Sequence, residues 1–285
     1  MIAKNQVSQS CLVDRVENEL WITNVFISTA CEASVHIKVD VRSFKIKYAW
    51  WYVYRTPDCV LVRSGEIPVL IETDVQEYST NVVLQDLDPD LREILVELIS
   101  ESIRCTRQSE VFISKERGYE SYKEFKEYRN KILLDSCVCF SNLNHAGMLC
   151  TNHMGEQNAT RIKDLFQRHK NYHIFANTDG KLFSTACFAD TFHEIHLAVS
   201  FSQCGQIENI SGTFLRSPSK MCCGSEKILN NLVGKNLSKM TKKEIAEFVG
   251  GSSGCTHILE MCYDLGLSLK EIELTSELNE LSIAL

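Results

Sequence analysis

The sequence has few prolines, few glycines, no long apolar run and no excess of basic residues. Four prolines and thirteen glycines among 285 residues are low counts, so each of them marks a boundary clearly. Thirty basic and thirty-seven acidic side chains give a net charge of −7, which argues against broad electrostatic binding of nucleic acid. No uninterrupted apolar stretch approaches the roughly 20 residues that cross a bilayer. We therefore expect neither a nucleic-acid partner nor a membrane span.

Cysteine, in contrast, is abundant. The sequence contains 13 cysteines, and residues 1–15 contain no apolar core of the kind that signal peptides carry. An odd number of cysteines without a secretion signal argues against a disulfide framework and predicts reduced thiols in a cytoplasmic protein. Most of them are expected to be small buried apolar side chains, so only cysteines beside other reactive groups carry functional information.

Two segments of the chain share one pattern. Residues 35–57 and 195–218 both begin with an aliphatic residue and a histidine, alternate apolar and polar positions, turn, and close on Arg-x-Pro. A strand-like stretch precedes each of them, at 20–28 and at 182–189. Period-two alternation in three consecutive runs predicts an antiparallel meander with one buried face. We interpret the pair as a tandem duplication, and chance similarity between two β-rich stretches is the alternative.

The predicted fold class is α+β, with each three-stranded meander followed by helices and a helical connector between the copies. With 44% apolar and 24% charged side chains, the chain is long enough for two cores. The predicted domains are a degenerate first repeat at 1–109, a helical connector at 110–174 and a second repeat with the candidate site at 175–285. Two amphipathic helices are predicted in the connector, at 118–132 and at 161–175. We expect the two repeats to pack as an intramolecular pseudo-dimer.

Metal-ligating side chains collect at three places in the second copy. Asp190 and His193 stand just before a predicted strand, Cys223 stands at a predicted helix start, and Cys255 and His257 stand at another. A helix N-terminus presents unpaired N–H groups and the positive end of the helix dipole, which lower the pKa of a cysteine. Two such helix starts beside one strand edge would form a pocket for zinc, iron or an iron–sulfur cluster.

Plainer alternatives accompany these assignments. Cys255 and His257 are alternatively two residues that happen to share a helix start. We favour Cys223 over Cys222 as a ligand because Gly-Ser follows it directly, whereas Cys222 could equally point into the core. The first copy has Asp58-Cys59 after its Arg-x-Pro motif without a following Gly-Ser, so it is interpreted as a copy without ligands.

The connector contains a second group of candidate ligands. Cys137 and Cys139 form a C-x-C pair, and Cys150 and His153 form a C-x-x-H pair ten residues later. Four such ligands could close a zinc or cluster site, although the spacing differs from common zinc fingers. The favoured alternative is that these cysteines are merely buried at a helix end.

The longest patterned stretch of the second copy is DTFHEIHLAVSFSQCGQIENISGTFLRSPSKMCCGSEKILNNLVGKNL, in which Cys-Gly-Ser opens a predicted helix. With its flanks, about residues 180–265, it resembles the NifU-type iron–sulfur cluster scaffold fold. By position, Cys223 matches the helix-opening cysteine of that family, and His193 lies where the family has an aspartate. The resemblance implies a protein that holds or hands on a cluster, with a cluster donor or acceptor protein as its partner.

The late His-Cys pair of that family falls at Cys255 and His257, where this sequence has the order Cys-Thr-His. The family's first cysteine corresponds most closely to Asp190, because Cys187 lies three residues too early. The Gly-Cys-Thr-His segment is also similar to an uncharacterised bacterial domain family. These departures make metal binding the firmer implication and cluster transfer the weaker one.

No phosphate-binding glycine loop, nucleophile elbow or His-Glu-x-x-His motif occurs in the sequence. The favoured function is a metal- or iron–sulfur-cluster-binding protein of scaffold or carrier type, with Cys223, Cys255 and His257 as ligands and His193 or Asp190 completing the set. A second hypothesis is an enzyme in which Cys255 or Cys223 is a nucleophile or sulfur carrier and His257 is the base. The third is an interaction module with an inert, thiol-rich core.

Overall fold

The computed structural model describes residues 1–56, 60, 62–83, 87–143 and 161–283, apart from the side chains of Val82 and of residues 273–283. These residues form two compact units. The N-terminal unit comprises Gln9–Glu127 and 161–169, and the C-terminal unit comprises Met1–Ser8, 128–143 and 170–283. Within the described residues, no helix is both long enough and apolar enough to cross a bilayer.

Within the described residues, the first half of the chain forms five strands and four α-helices. The strands are β1 (Ile2–Val16), β2 (Glu19–Ser28), β3 (Glu32–Asp40), β4 (Ile46–Arg55) and β5 (Arg63–Glu66), in the spatial order β5-β4-β3-β2-β1. The α-helices are α1 (Thr80–Val83), α2 (Arg92–Ser109), α3 (Tyr122–Ile132) and α4 (Val138–Ser141), with 3-10 turns at Pro68–Leu70 and Glu110–Phe112. The helix predicted at 118–132 is therefore confirmed as α3.

The second half contains a second meander followed by helices. The strands are β6 (Phe166–Ala176), β7 (Leu182–Asp190), β8 (Glu194–Phe201) and β9 (Ile207–Arg216), adjacent in that order. The α-helices are α5 (Lys220–Cys223), α6 (Lys242–Val249) and α7 (Thr256–Ile283), with 3-10 segments at Gly224–Leu232, Leu237–Lys239 and Gly251–Ser253. Helix α6 begins with a capping box, in which Thr241 and Glu244 bond each other's backbone N–H groups.

The two meanders share their strand pairing in detail. In each, the third strand shifts its register against the fourth near both of its ends, as a bulge does. In each, the glutamate that opens the third strand pairs with the arginine of the Arg-x-Pro motif, Glu32 with Arg55 and Glu194 with Arg216. The predicted α+β class and the tandem meanders followed by helices are confirmed.

Arg55 and Arg216, the arginines of the two Arg-x-Pro motifs, make equivalent hydrogen bonds. The Arg55 guanidinium donates hydrogen bonds to the carbonyl oxygens of Ser28 and Thr29, at 3.0 and 3.3 Å. Arg216 makes the same two bonds at the end of β7, at 2.8 and 2.7 Å. Because the guanidinium offers several donors in a fixed plane, it satisfies both carbonyls where a strand pair ends. The repeated arginine thus fixes the turn before the third strand of each meander.

The structure adds strands that the sequence pattern did not predict, β1 and β5 in the first meander and β6 in the second. The prediction of a helix at 161–175 is wrong, because β6 occupies most of that segment. Burial along β6 alternates strictly from Phe166 to Lys170, but Arg168 and Lys170 hold two of the buried positions. Because these basic side chains occupy buried positions, the hydropathy of the sequence does not show the period of two that its burial has. The domain boundaries at 109 and 174 stay a prediction.

Candidate metal centre

The turn between β7 and β8 is organised by one carboxylate. Asp190 Oδ1 accepts hydrogen bonds from the backbone N–H groups of Phe192 and His193, each at 2.7 Å. The Asp190 N–H in turn donates to the His193 carbonyl oxygen at 2.8 Å. Asp190 is 4% exposed, and these hydrogen bonds satisfy its buried carboxyl group. Residues 190–193 therefore form a closed turn with a buried carboxylate at its centre.

The imidazole of His193 folds back onto the same carboxylate. His193 Nδ1 lies 3.0 Å from Asp190 Oδ1, and the side chain is nearly buried. With its hydrogen on Nδ1, the imidazole donates a hydrogen bond to this carboxylate oxygen. This contact fixes the imidazole beside the carboxylate, so Asp190 and His193 present ligand atoms to one place.

His257, the second residue of α7, brings a second imidazole to this place. Its ring centroid lies 4.0 Å from that of His193, with 38° between the ring planes. The buried ring of Phe188 supports it from β7, at 5.0 Å between centroids. One ligand atom each of Asp190, His193 and His257 lies within 4.8 Å of the others. Three of the five predicted ligands are thus brought together, and His257 is the partly exposed member.

Cys255 lies next to this group at the N-terminus of α7. Its Sγ is 4.0 Å from His257 Nδ1, and its carbonyl accepts the Leu259 N–H at 3.0 Å. Burial raises the pKa of Cys255 to about 12, although the N–H groups of Ile258 and His257 act in the opposite direction. The prediction of a low pKa at this helix start is therefore wrong, because desolvation outweighs the helix terminus.

The surroundings of Cys222 and Cys223 differ from those that were predicted. Cys223 is exposed, with its Sγ 3.5 Å from the Ser217 hydroxyl, and it is not part of the Asp190 group. Cys222 is 7% exposed and lies beside Cys139 and within electrostatic range of Cys255. A hydrogen bond with Cys139, followed by burial, raises the pKa of Cys222. Of the other connector ligands, Cys150 and His153 lie outside the described residues, as does Asp58-Cys59 of the first copy.

The corresponding turn of the first copy forms without a carboxylate or an imidazole. Ser28 takes the place of Asp190, and its hydroxyl accepts the N–H groups of Ala30 and Cys31 at 3.2 and 2.8 Å. The Ser28 N–H donates to the Cys31 carbonyl at 2.7 Å, as that of Asp190 does to His193. Folding of this turn therefore requires an acceptor at its first position but no ligand pair. This structural equivalence was not visible in the sequence pattern, because the two turns share only one threonine.

Gly254, directly before Cys255, is required by close backbone packing. A Cβ at this position would lie 2.3 Å from the Val249 carbonyl oxygen and 2.4 Å from that of Gly250. Only a residue without a Cβ permits this approach of backbone to backbone. Gly254 thus sets the path of the chain into the Cys255 position.

Gly254→Ala is expected to lower the free energy of unfolding by about 1–3 kcal/mol, because the added methyl group overpacks a site walled by backbone. Ser253→Ala, at the exposed neighbouring residue, is the matched control and should change little. Urea denaturation of both variants measures the difference. Equal denaturation midpoints for the two variants would contradict this account of the loop.

Alkaline pH is expected to destabilise the folded chain through its buried thiols. Burial raises the pKa of Cys262 from its ordinary value of 9.0 to about 12. Between these values the unfolded chain binds fewer protons than the folded chain, so the free energy of unfolding falls as pH rises. Replacing Cys262 with alanine should reduce this slope by about 1 kcal/mol per pH unit. Urea denaturation across this pH range measures it, with Cys204→Ala at an exposed thiol as the control. An unchanged slope would contradict the assignment.

Comparison with protein-family models gives a match. The sequence model of a family described as a protein of unknown function, DUF2889, matches residues 152–268. This region is less than half of the chain, and it contains Asp190, His193, Cys255 and His257. No curated protein matches the chain. The resemblances to the NifU-type scaffold and to a Gly-Cys-Thr-His family stay predictions, and the chain is similar to DUF2889 proteins over the region that contains the candidate centre.

Proposed function

We propose that this chain binds one divalent transition-metal ion through Asp190, His193 and His257, as a non-catalytic metal-binding protein. Two imidazoles and a carboxylate suit Zn²⁺ and Fe²⁺, and the adjacent thiol of Cys255 favours zinc, which accepts nitrogen, oxygen and sulfur ligands. Three protein ligands leave one coordination position for Cys255 or for an exchangeable ligand. An exchangeable position is what a carrier requires.

The observation that carries this proposal is the comparison of the two β-turns. Ser28 and Cys31 close the turn of the first copy with the same backbone hydrogen bonds that Asp190 and His193 make in the second. The carboxylate and the imidazole are therefore additions that the turn itself does not need. Both point to the place where His257 arrives from a distant helix.

The distances within the group fit a single ion after small side-chain rotations. Zinc–nitrogen bonds of about 2.0–2.1 Å place tetrahedral ligand atoms roughly 3.4 Å apart. The ligand atoms here lie within 4.8 Å of one another, and Cys255 Sγ is 4.0 Å from His257 Nδ1. Binding requires uncharged imidazoles and an ionised carboxylate, so zinc affinity should weaken as the pH falls.

The hypothesis of a thiol nucleophile receives less support. With a pKa of about 12, Cys255 is almost entirely protonated at neutral pH, and the thiol is a poor nucleophile in that form. An iron–sulfur scaffold role, a cluster donor or acceptor and a pseudo-dimer of the repeats remain predictions from the sequence.

A zinc titration of the reduced full chain against a chromophoric chelator tests the proposal. We expect one zinc ion per chain and a loss of affinity of about 10–100-fold or more in Asp190→Asn. The amide oxygen of asparagine can still accept the two backbone N–H groups, so the turn should persist. Asp179→Asn makes the same chemical change in an exposed turn of this unit and should bind as the unmodified chain does. Equal zinc affinity in the two variants would refute the proposal.

A further inference from the structure

Four thiols of the C-terminal unit lie close to one another. They are Cys137, which precedes α4, Cys139 within α4, Cys222 within α5, and Cys255 at the start of α7. We call these four residues the thiol cluster. They come from segments that are far apart in sequence, so the fold, and not chain proximity, assembles them.

A backbone hydrogen bond fixes α4 beside the loop that leads into α7. The Val138 N–H donates to the Gly254 carbonyl oxygen at 2.9 Å. Val138 stands between Cys137 and Cys139, and Gly254 directly precedes Cys255. This bond therefore places the two connector cysteines next to Cys255. The tight packing of Gly254 against the Val249 carbonyl oxygen holds the acceptor in position.

The contact between Cys139 and Cys222 closes the cluster from the other side. Helix α4 packs against α5, and the side chains of Cys139 and Cys222 form a hydrogen bond there. Cys222 is 7% exposed and Cys139 is half-buried. Cys223, the next residue, is exposed and contacts Ser217 instead.

We propose that the thiol cluster is a second metal site, for Cu(I), with the thiolates of Cys139 and Cys222 as its two ligands. Thiolates select soft ions, among them Cu(I) and Zn²⁺. Zinc requires about four ligand atoms around one point. Within the part of the chain that the structure describes, only Asp190, His193 and His257 come that close together. Two thiols in contact suit Cu(I), which accepts two thiolate ligands.

Binding at this site releases both thiol protons to solvent. Two neutral thiols and one Cu(I) ion give a bis-thiolate complex with a net charge of −1 and two protons. A single negative charge is less costly to hold in a partly buried position than two free thiolates. No change of oxidation state occurs. The inference does not rest on the proposed zinc centre, because neither Cys139 nor Cys222 belongs to it.

Competition with a chromophoric Cu(I) chelator, under anaerobic conditions and with the reduced full chain, tests the second site. We expect one Cu(I) per chain and a loss of affinity of roughly tenfold or more in Cys139→Ser and in Cys222→Ser. Cys223→Ser is the matched control, since it makes the same change at the neighbouring exposed thiol. Asp190→Asn should leave Cu(I) affinity unchanged, which separates this site from the zinc centre. Cu(I) binding of Cys139→Ser at the strength of the Cys223→Ser control would overturn the inference.

Alkylation of the unmodified chain tests the proposed Cu(I) site even if a cysteine variant fails to fold. One equivalent of Cu(I) should slow the reaction of Cys139 and Cys222 with iodoacetamide, measured by mass spectrometry of the peptides. The exposed thiols of Cys204 and Cys223 should react at the same rate with and without Cu(I). Equal labelling of Cys139 in the two conditions would overturn the inference.

Discussion

Replacing His193 with glutamine is expected to lower the zinc affinity of the full chain by more than about 100-fold. Even hydrogen-bond partners of metal-binding residues are worth about 10–100-fold in affinity, and His193 is proposed as a ligand itself. The backbone bonds between Asp190 and residue 193 do not involve the imidazole, so the turn should still form. Competition with a chromophoric zinc chelator measures the change.

His196→Gln is the matched control for this prediction. His196 lies three residues further along β8, is exposed, and has its Nε2 3.6 Å from Cys187 Sγ and 3.8 Å from Glu194. The substitution is chemically identical to that at His193 but lies outside the Asp190 group. We expect His196→Gln to bind zinc as the unmodified chain does. The account would be wrong if both variants lost affinity to the same extent.

Replacing Glu101 with leucine is expected to lower the free energy of unfolding by about 3–5 kcal/mol. Glu101 is fully buried in the N-terminal unit and accepts a hydrogen bond from Arg168 Nη1 at 2.9 Å. Arg168 is 2% exposed, so removal of the carboxylate deletes a buried ion-pair partner of this cation. Arg104 also pairs with Glu101 but keeps its ion pair with Glu97. Urea denaturation measures the loss.

A double substitution separates the loss of the ion pair from the loss of packing. Glu101→Leu combined with Arg168→Met removes both charges and retains apolar volume. Replacing a buried pair by apolar side chains is often neutral, so the double variant should recover most of the stability that Glu101→Leu loses. A double variant as unstable as Glu101→Leu alone would show that the charge left on Arg168 is not the cause.

Local patterns were sufficient to predict most strands of the two meanders. Alternation of apolar and polar residues identified β3 and β8, and the strand-like stretches before them are β2 and β7. The Arg-x-Pro motif identified the duplication correctly, because Arg55 and Arg216 bond equivalent carbonyl oxygens. These features depend on neighbours in sequence and on one partner strand, which a single sequence encodes well.

The strand β6 could not be predicted because its burial depends on distant partners. Arg168 is neutralised by Glu101 of α2, and Lys170 donates to Asp264 of α7 at 3.1 Å. Nothing within residues 161–175 indicates that these two cations are buried. The local pattern of residues 161–175 therefore predicted an amphipathic helix. The segment forms a strand instead, because the ion pairs allow Arg168 and Lys170 to be buried.

The candidate centre was predicted in part. Asp190 and His193 lie before β8 and His257 lies at a helix start, as predicted, and the fold brings these three together, while their role as ligands stays a prediction. The pKa of Cys255 was predicted in the wrong direction, because helix-terminus effects are readable from sequence whereas burial is not. The position of Cys222 beside Cys139 depends on the contact between α4 and α5, which local pattern does not encode.

The X-ray absorption spectrum of the full chain, loaded with one equivalent of zinc, tests the central claim most directly. The account predicts nitrogen and oxygen ligands at about 2.0–2.1 Å, imidazole scattering from two histidines, and at most one sulfur at about 2.3 Å. A shell of three or four sulfur atoms would place the zinc in the thiol cluster and contradict the assignment to Asp190, His193 and His257.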